Sequence, residues 1–463
     1  MSVQGRFLTG STMGHVVRMT ATGALGITFV FIVDAANLFW VSMLGDARLV
    51  AAIGFAFAIQ FFSVSSGVGL MIAATALTSR SIGAGDRAEA RRIAGSAVVM
   101  ACIGQAITAG TVLAFRCPIL EFAGASGETL DLAARYLAIT LPSLVVMAGG
   151  LVASGVLRAE GDGKRAMFVT LTSGSVSMVV DPVLIYGLGF GLDGAAAGLV
   201  LSRCILLCAA LYFATRVHDL IAWPTAADVR RHAWPYLAIA LPAILTQQAT
   251  PFGNYILTKV LCQFGDGAVA GWAVVGRLSV VVFGGIFSLS GAIGGIFGQN
   301  FGARQYDRLI TTYRDAILFC LGYTLVAWGL LVALNDRIVS AFGLGPDGAT
   351  VIWAFTHIGA GAFCFTGAFF VANAAFNTLG RPTLATVLTW VRDGALTLPV
   401  AIWLAAYAGA AGVIYAQAVL GVAMGALAAL WGWHFVRNIA TAPPQVDLKT
   451  RRGWRDINRF RRR

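Results

Sequence analysis

Two aspartates lie inside long apolar stretches of this 463-residue chain: Asp34 within 21–44, and Asp181, followed directly by Pro182, within 166–188. A carboxylate at membrane depth is costly, so one kept there is expected to be functional. If both stretches are helices running outward from their first residues, Asp34 lies about 20 Å along the first and Asp181 about 22 Å along the second, at 1.5 Å per residue. On converging faces, two carboxylates at similar depth would make a site for a proton or a small cation. Two like charges in a low dielectric resist joint ionisation, which suits a proton carrier. Pro182 removes a backbone N–H and disfavours helix at the residue before it. A helix bend with freed carbonyls is therefore expected beside Asp181.

The second half of the chain is less acidic. Asp393 stands next to Arg392 and is expected to pair with it or with Arg277. The apolar stretch 236–261 carries Gln247, Gln248, Asn254 and Tyr255 in place of an acid. Those four, with Tyr186, Phe283, Phe287, Asn373 and Asp393, are the candidates for a substrate cavity; Phe57, Phe61, Phe62, Met71 and Met178 are further apolar candidates. Aromatic and methionine walls accept flat apolar cations without fixed hydrogen-bond geometry. His357 has a ring that titrates near neutral pH, but a lone histidine there is expected to be hydrogen-bonded in place. The five histidines are scattered, and no HExxH, GxSxG or P-loop pattern occurs. A membrane-embedded enzyme is therefore disfavoured. The seven cysteines form no CxxC pair, so no metal centre, disulfide or cofactor is expected.

The elements that must position these groups are transmembrane helices. Mean hydropathy is +0.79, and only 12% of residues are charged, against about 25% in soluble proteins. Twelve apolar stretches have roughly the 20 residues a bilayer requires: 21–44, 50–77, 93–115, 136–157, 166–188 and 194–214, then 236–261, 268–297, 310–334, 351–376, 383–406 and 409–436. No cleavage-like pattern follows the first, which is expected to be retained as a helix.

The second set of six repeats the first. Gly83-Ala84 recurs as Gly302-Ala303, Gly161 as Gly380, Gly45-Asp46 as Gly265-Asp266 and Gly194 as Gly412, at offsets of 218 to 220 residues. By the same offset Asn254 is the counterpart of Asp34. The expected fold is an all-α membrane protein of twelve transmembrane helices in two pseudo-symmetric six-helix lobes. Its divisions are a lobe at 1–215, a cytoplasmic linker at 216–235, a second lobe at 236–437 and a basic cytoplasmic tail at 438–463. Two like halves in a membrane are expected to enclose a substrate cavity where they meet, as transporters do.

The net charge of +12 is placed asymmetrically. With both termini in the cytoplasm, 25 Lys and Arg fall inside and five outside, as the positive-inside rule requires. The basic C-terminal segment, with Trp454 and Phe460 as interfacial anchors, is expected to touch anionic lipid headgroups rather than nucleic acid.

The loops and flanking helices together resemble the multidrug and toxic compound extrusion (MATE) family over nearly the whole chain. The matching segments are LGDARLVAAIGFA, TSRSIGAGDRAEARRIA, LRAEGDGKRA and DPVLIYGLGFGLDGAAAG in the first half. In the second they are LPAILTQQ, FGDGAVAGWAVVGRLS, GQNFGARQYDR and NTLGRP. The resemblance implies a multi-pass protein of the bacterial inner membrane, a monomer in contact with lipid. It implies secondary antiport, in which inward H+ or Na+ drives efflux of organic, often lipophilic cationic, compounds such as xenobiotics. The Asp181-Pro182 step is similar to the helix 5 motif of the proton-coupled prokaryotic branch, where the aspartate belongs to the first-lobe cation site.

Departures from the family pattern bear on the ion. Ser177 stands where an asparagine is usual, Leu199 where a threonine is frequent, and Asn37 where the helix 1 acid is usual, with Asp34 a turn earlier. The helix 8 glutamate common two residues after Arg277 is absent. The expected coupling set is thus Asp34, Asn37, Ser177 and Asp181, with H+ favoured over Na+. The rival reading within the wider superfamily is a flippase of a lipid-linked oligosaccharide. Arg203, Arg277 and Arg392 would suit its pyrophosphate, while the loop motifs argue against it.

Overall fold

The computed structural model describes residues 5–441, which form helices throughout, with no strand among the described residues. The fifteen α-helices are α1 Thr12–Ser42, α2 Ala47–Gly83, α3 Arg87–Ala114, α4 Arg116–Phe122, α5 Gly127–Thr140, α6 Ser143–Glu160, α7 Gly163–Pro182, α8 Gly191–Tyr212, α9 Ala226–Leu261, α10 Asp266–Gly302, α11 Tyr306–Ala341, α12 Pro346–Ala354, α13 Phe363–Leu379, α14 Pro382–Thr389 and α15 Thr397–Thr441. Among the described residues, nine helices are long and apolar enough to cross a membrane, and a bent pair, 346–359 with 363–379, makes a tenth. One of the nine, 382–441, contains a break at Gly409 (φ 59°, ψ −142°) that separates the eleventh and twelfth apolar stretches. The seventh stretch is helical too, within α9, but Gln247, Gln248 and Asn254 make it less apolar. Each of the twelve stretches is therefore mostly helical, with 136–157 interrupted at Leu141 and Pro142 and 351–376 at 360–362.

The sequence repeat is a repeat of backbone requirements. Gly161 and Gly380 end α6 and α13 in the left-handed conformation, at φ 94° and 105°, where a Cβ would clash. Gly45 and Gly265 share positive φ, and so do Gly85 and Arg304. A Cβ on Gly194 would lie 2.8 Å from the backbone of Leu184, and one on Gly412 would lie 2.1 Å from that of Leu404.

The chain divides into two compact units. One comprises residues 25–82 and 86–247; the other comprises the described residues up to Ala24, residues 83–85, and Gln248 onward. The boundaries of these compact units fall inside α1 and α9. Each half gives the start of its first helix to the other unit. Phe7, Val16 and Met19 are buried in the core of the C-terminal unit, and the Arg308 guanidinium donates to the carbonyls of Phe7 at 3.0 Å and Gly10 at 3.1 Å. Reciprocally, Tyr236 Oη donates to the Leu70 carbonyl at 2.9 Å in the N-terminal unit. The segment 216–235 is tied down in that unit: Arg87 donates to the His218 carbonyl at 2.5 Å, and His218 and His232 are buried against Asp162 and Glu89. Most of the expected basic tail lies outside the described residues.

Candidate functional site

Asp181 sits in the last turn of α7, a helix started by Asp162, whose side chain accepts from the Arg165 N–H at 3.0 Å. Burial alone would raise the Asp162 pKa. The Arg165 N–H, His218 and the Arg165 guanidinium outweigh it and hold the carboxyl below its ordinary value. At the other end, Pro182 keeps helical dihedrals (φ −63°, ψ −31°), and the chain continues as a π turn, Val183–Gly187. The helix is not broken at Pro182: the missing N–H falls where the ladder widens into the π turn.

Asp181 is 1% exposed. Its Oδ2 accepts from Asn37 Nδ2 at 2.9 Å and from Ser177 Oγ at 3.0 Å. Its Oδ1 is buried with no hydrogen-bond partner. Gly198 on α8 closes this side: a Cβ there would stand 1.9 Å from Oδ1. Any larger residue would displace the carboxyl, so the glycine is a requirement of the site.

The expected pair of converging buried acids is not what forms. Asn37, not Asp34, reaches Asp181; Asp34 is exposed, and no hydrogen bond or ion pair joins it to Asp181 among the described residues. The physical reason is angular. Three residues on a helix turn through about 300°, which leaves Asp34 about 60° off the face that Asn37 presents.

Sequence reasoning named Arg203 only as a candidate for a pyrophosphate group and left out its partners Gln60, Thr140 and Ser143. Arg203 on α8 is buried, with Nη1 donating to the Thr140 carbonyl at 2.9 Å and Ser143 Oγ at 2.8 Å, and Nη2 donating to Gln60 Oε1 at 2.8 Å. Gln60 in turn donates to Thr140 Oγ1 at 3.0 Å. All these partners are neutral. Arg203 acts electrostatically on Asp34 and on buried Tyr136. The signal in the sequence was an arginine inside an apolar stretch, and its partners are spread over α2, α5 and α6.

The remaining candidates separate. Phe283 is fully buried and stacks on Phe363 with centroids 4.0 Å apart, so it is core and lines nothing. Phe287 packs on Phe363 and Phe370. Met71 is buried, and Tyr186, although exposed, donates its hydroxyl to the Trp40 carbonyl. Asn373 is buried; its amide donates to Thr389 Oγ1 at 3.2 Å and its Oδ1 has no partner. Asp393 pairs with Arg392 at 2.6 Å, as expected, and the Arg392 guanidinium lies 4.1 Å over the Phe369 ring. His357 stacks on Trp353 with its Nδ1 3.1 Å from the Trp353 carbonyl. Gln247 and Gln248 are half-buried, and Asn254 and Tyr255 are exposed, as are Phe57, Phe61 and Phe62.

The family model MatE matches residues 24–183 and 242–403. An FAD transporter of Shewanella oneidensis is 25% identical over 429 residues, covering 90% of this chain and 94% of that protein. The multidrug export protein MepA of Staphylococcus aureus is 23% identical over 417 residues, covering 88% and 90%. In fold, the chain is similar to the Vibrio cholerae transporter VcmN, crystallised as a point mutant, with a TM-score of 0.87 at 23% identity over 92% of this chain and 97% of that one.

Proposed function

The chain belongs to the MatE family of membrane transporters, and on that premise we propose that it exports organic compounds in exchange for H+, with Asp181 as the group that carries the proton. Members of the family are transporters, not enzymes. In this reading the chain works as a monomer in the bacterial inner membrane, in contact with lipid and with both termini in the cytoplasm. The charge asymmetry supports that orientation.

One observation carries the proposal: Asp181 is buried, is held by the two neutral donors Asn37 and Ser177, and keeps one oxygen without a partner. A buried carboxyl in that state has a place for one proton and a reason to take it, because burying an unpaired carboxylate is costly. When the proton is taken from one side and given up to the other, the two states of the carboxyl differ in their interactions with α1 through Asn37. A difference of that kind can bias a conformational equilibrium. Asp34, exposed and within reach of the Arg203 charge, is suited to relay the proton between water and Asp181.

Na+ is the second reading. A bound sodium ion needs several oxygens, and the close approach of the Gly198 backbone to Oδ1 leaves little room for further ligands on that side. The site therefore favours H+. The names of the relatives, a multidrug exporter and an FAD transporter, support an organic cargo. The exposed Phe57, Phe61 and Phe62 favour a lipophilic, xenobiotic-like compound; the charge of the cargo depends on groups outside the proton site.

The test is efflux of a fluorescent organic dye from proteoliposomes, with a pH gradient and a Na+ gradient imposed separately. Efflux driven by the pH gradient alone is expected. Efflux that needs the Na+ gradient and ignores pH would replace the proton by sodium.

A further inference from the structure

In the C-terminal unit, the end of α11 and the start of α12 form an open cleft of about 590 Å³, a volume in the range of small-ligand sites. It begins just past the apolar stretch 310–334, at the level where hydrocarbon gives way to headgroups. Asp336 and Ser340, one turn apart on α11, and Thr350 and Trp353, one turn apart on α12, all line it. The polar groups among them accept and do not donate. Ser340 Oγ donates its hydrogen to the Arg337 carbonyl at 3.0 Å, and Thr350 Oγ1 donates its own to the Pro346 carbonyl at 2.9 Å. Each hydroxyl therefore offers the cleft only lone pairs. The Asp336 carboxylate is positioned: its Oδ1 accepts from Asn335 Nδ2 at 2.9 Å. Asn335 is itself fixed, 9% exposed, with its Oδ1 accepting from buried Thr356 Oγ1 at 2.8 Å. No ion pair neutralises Asp336 among the described residues, and Arg337, next in the chain, is about 100° away around the helix. Trp353 is 46% exposed, although His357 stacks on one of its faces with centroids 4.6 Å apart.

The same face of α11 continues from the cleft as a shallow apolar groove. Gly322, Leu325, Gly329 and Val332 lie within about 40° of the Asp336 direction around the helix, and all four are exposed. A Cβ built on Gly322 or Gly329 meets nothing within 4 Å, so the glycines leave hollows between the leucine and the valine. From Asp336 to Gly322 the groove runs about 21 Å, more than half of the roughly 30 Å hydrocarbon core.

We propose that this cleft binds the primary ammonium of a membrane phospholipid, a phosphatidylethanolamine headgroup, with an acyl chain laid along the α11 groove. A primary ammonium carries three N–H donors and no acceptor. That matches one carboxylate oxygen and the lone pairs of two hydroxyls. The Trp353 ring adds a cation–π contact. A trimethylammonium has no N–H to donate, and a headgroup with net negative charge meets the Asp336 carboxylate, so the site discriminates among headgroups. The site needs a bilayer and not the exchange of ions, and it stands whether or not Asp181 carries a proton.

The experiment titrates the purified full chain, in a non-ionic detergent, with phospholipids labelled fluorescently on the acyl chain. Phosphatidylethanolamine, phosphatidylcholine and phosphatidylglycerol with the same chains differ in headgroup alone. Phosphatidylethanolamine is expected to bind roughly tenfold more tightly than either of the others, the scale of one charged hydrogen bond. In Asp336→Asn, and in the double variant Ser340→Ala/Thr350→Val, its advantage over phosphatidylcholine falls towards one. All three positions are exposed, so an unchanged unfolding temperature without added lipid shows that the variants fold. Free ethanolamine in the millimolar range should leave the labelled lipid bound, because it lacks the chain that the groove holds. Equal affinity of the wild-type chain for phosphatidylethanolamine and phosphatidylcholine, or an undiminished ratio in either variant, overturns the proposal. Displacement by free ethanolamine at the concentration at which the lipid binds would make the occupant a soluble amine and overturn the assignment to lipid.

Discussion

Replacing Gly198 by alanine puts a methyl group where Asp181 already sits. The new Cβ would lie 1.9 Å from Oδ1, whereas a carbon and an oxygen in close C–H···O contact stay about 3.3 Å apart. One of the two must move by about 1.4 Å. If the carboxyl moves, its bonds from Asn37 and Ser177, now 2.9 and 3.0 Å, pass beyond the roughly 3.5 Å at which a hydrogen bond ends. Two lost bonds at about 1 kcal/mol each, together with overpacking of about 1–3 kcal/mol, give a destabilisation of roughly 3–5 kcal/mol. Thermal unfolding in detergent reads the stability, and dye efflux from proteoliposomes under a pH gradient reads the function. Gly198→Ala is expected to unfold at lower temperature and to lose most pH-driven efflux. The double variant Gly198→Ala/Asp181→Ala removes the clash along with the carboxyl, so its stability should recover while transport stays lost. Gly198→Ala with unchanged unfolding and unchanged efflux would refute the close packing on which the site depends.

Three further outcomes follow from the same structure. Arg203→Met leaves Gln60 Oε1 without its donor in a buried site and is expected to cost about 1–3 kcal/mol; Arg203→Lys, which lacks the fork, should restore only part of it, as thermal unfolding of the set will show. Asp162 has a folded pKa below its unfolded value, so its stabilisation is complete above the unfolded value, about 3.9, and is lost as pH falls through the folded one. The acid-side loss of stability between about pH 5 and 2 should therefore shrink in Asp162→Ala, and that variant should also lose about 1 kcal/mol at neutral pH from its missing helix cap. Gly161→Ala and Gly380→Ala, at corresponding left-handed positions of the two halves, should each cost about 1 kcal/mol; a large difference between them in unfolding temperature would deny that the two loops are equivalent.

Helices, their number and the duplication were legible because they rest on signals that membranes enforce. An apolar run of bilayer length is one. A glycine whose backbone admits no Cβ is another, and it recurs at Gly161 and Gly380 and at Gly194 and Gly412. Faces were not legible. A membrane helix is apolar towards lipid and towards its neighbours, so periodicity does not tell the two apart. That is why Phe283 looked like a wall and is core, and why Asp34 looked like the partner of Asp181 although Asn37 takes that place. The same blindness hid the partners of Arg203, which come from three other helices. The unit boundary inside α1 left no trace in composition, because the helix stays apolar through Ala24 and Leu25, while the one inside α9 falls at the polar pair Gln247 and Gln248.

The most direct test of Asp181 as the proton carrier is proton movement evoked by cargo. Proteoliposomes loaded with a pH-sensitive dye are given a transported compound without any imposed gradient. The wild-type chain should answer with a pH change that scales with the compound added, and Asp181→Asn should give none while still binding the compound. Undiminished proton movement in Asp181→Asn would contradict the assignment outright.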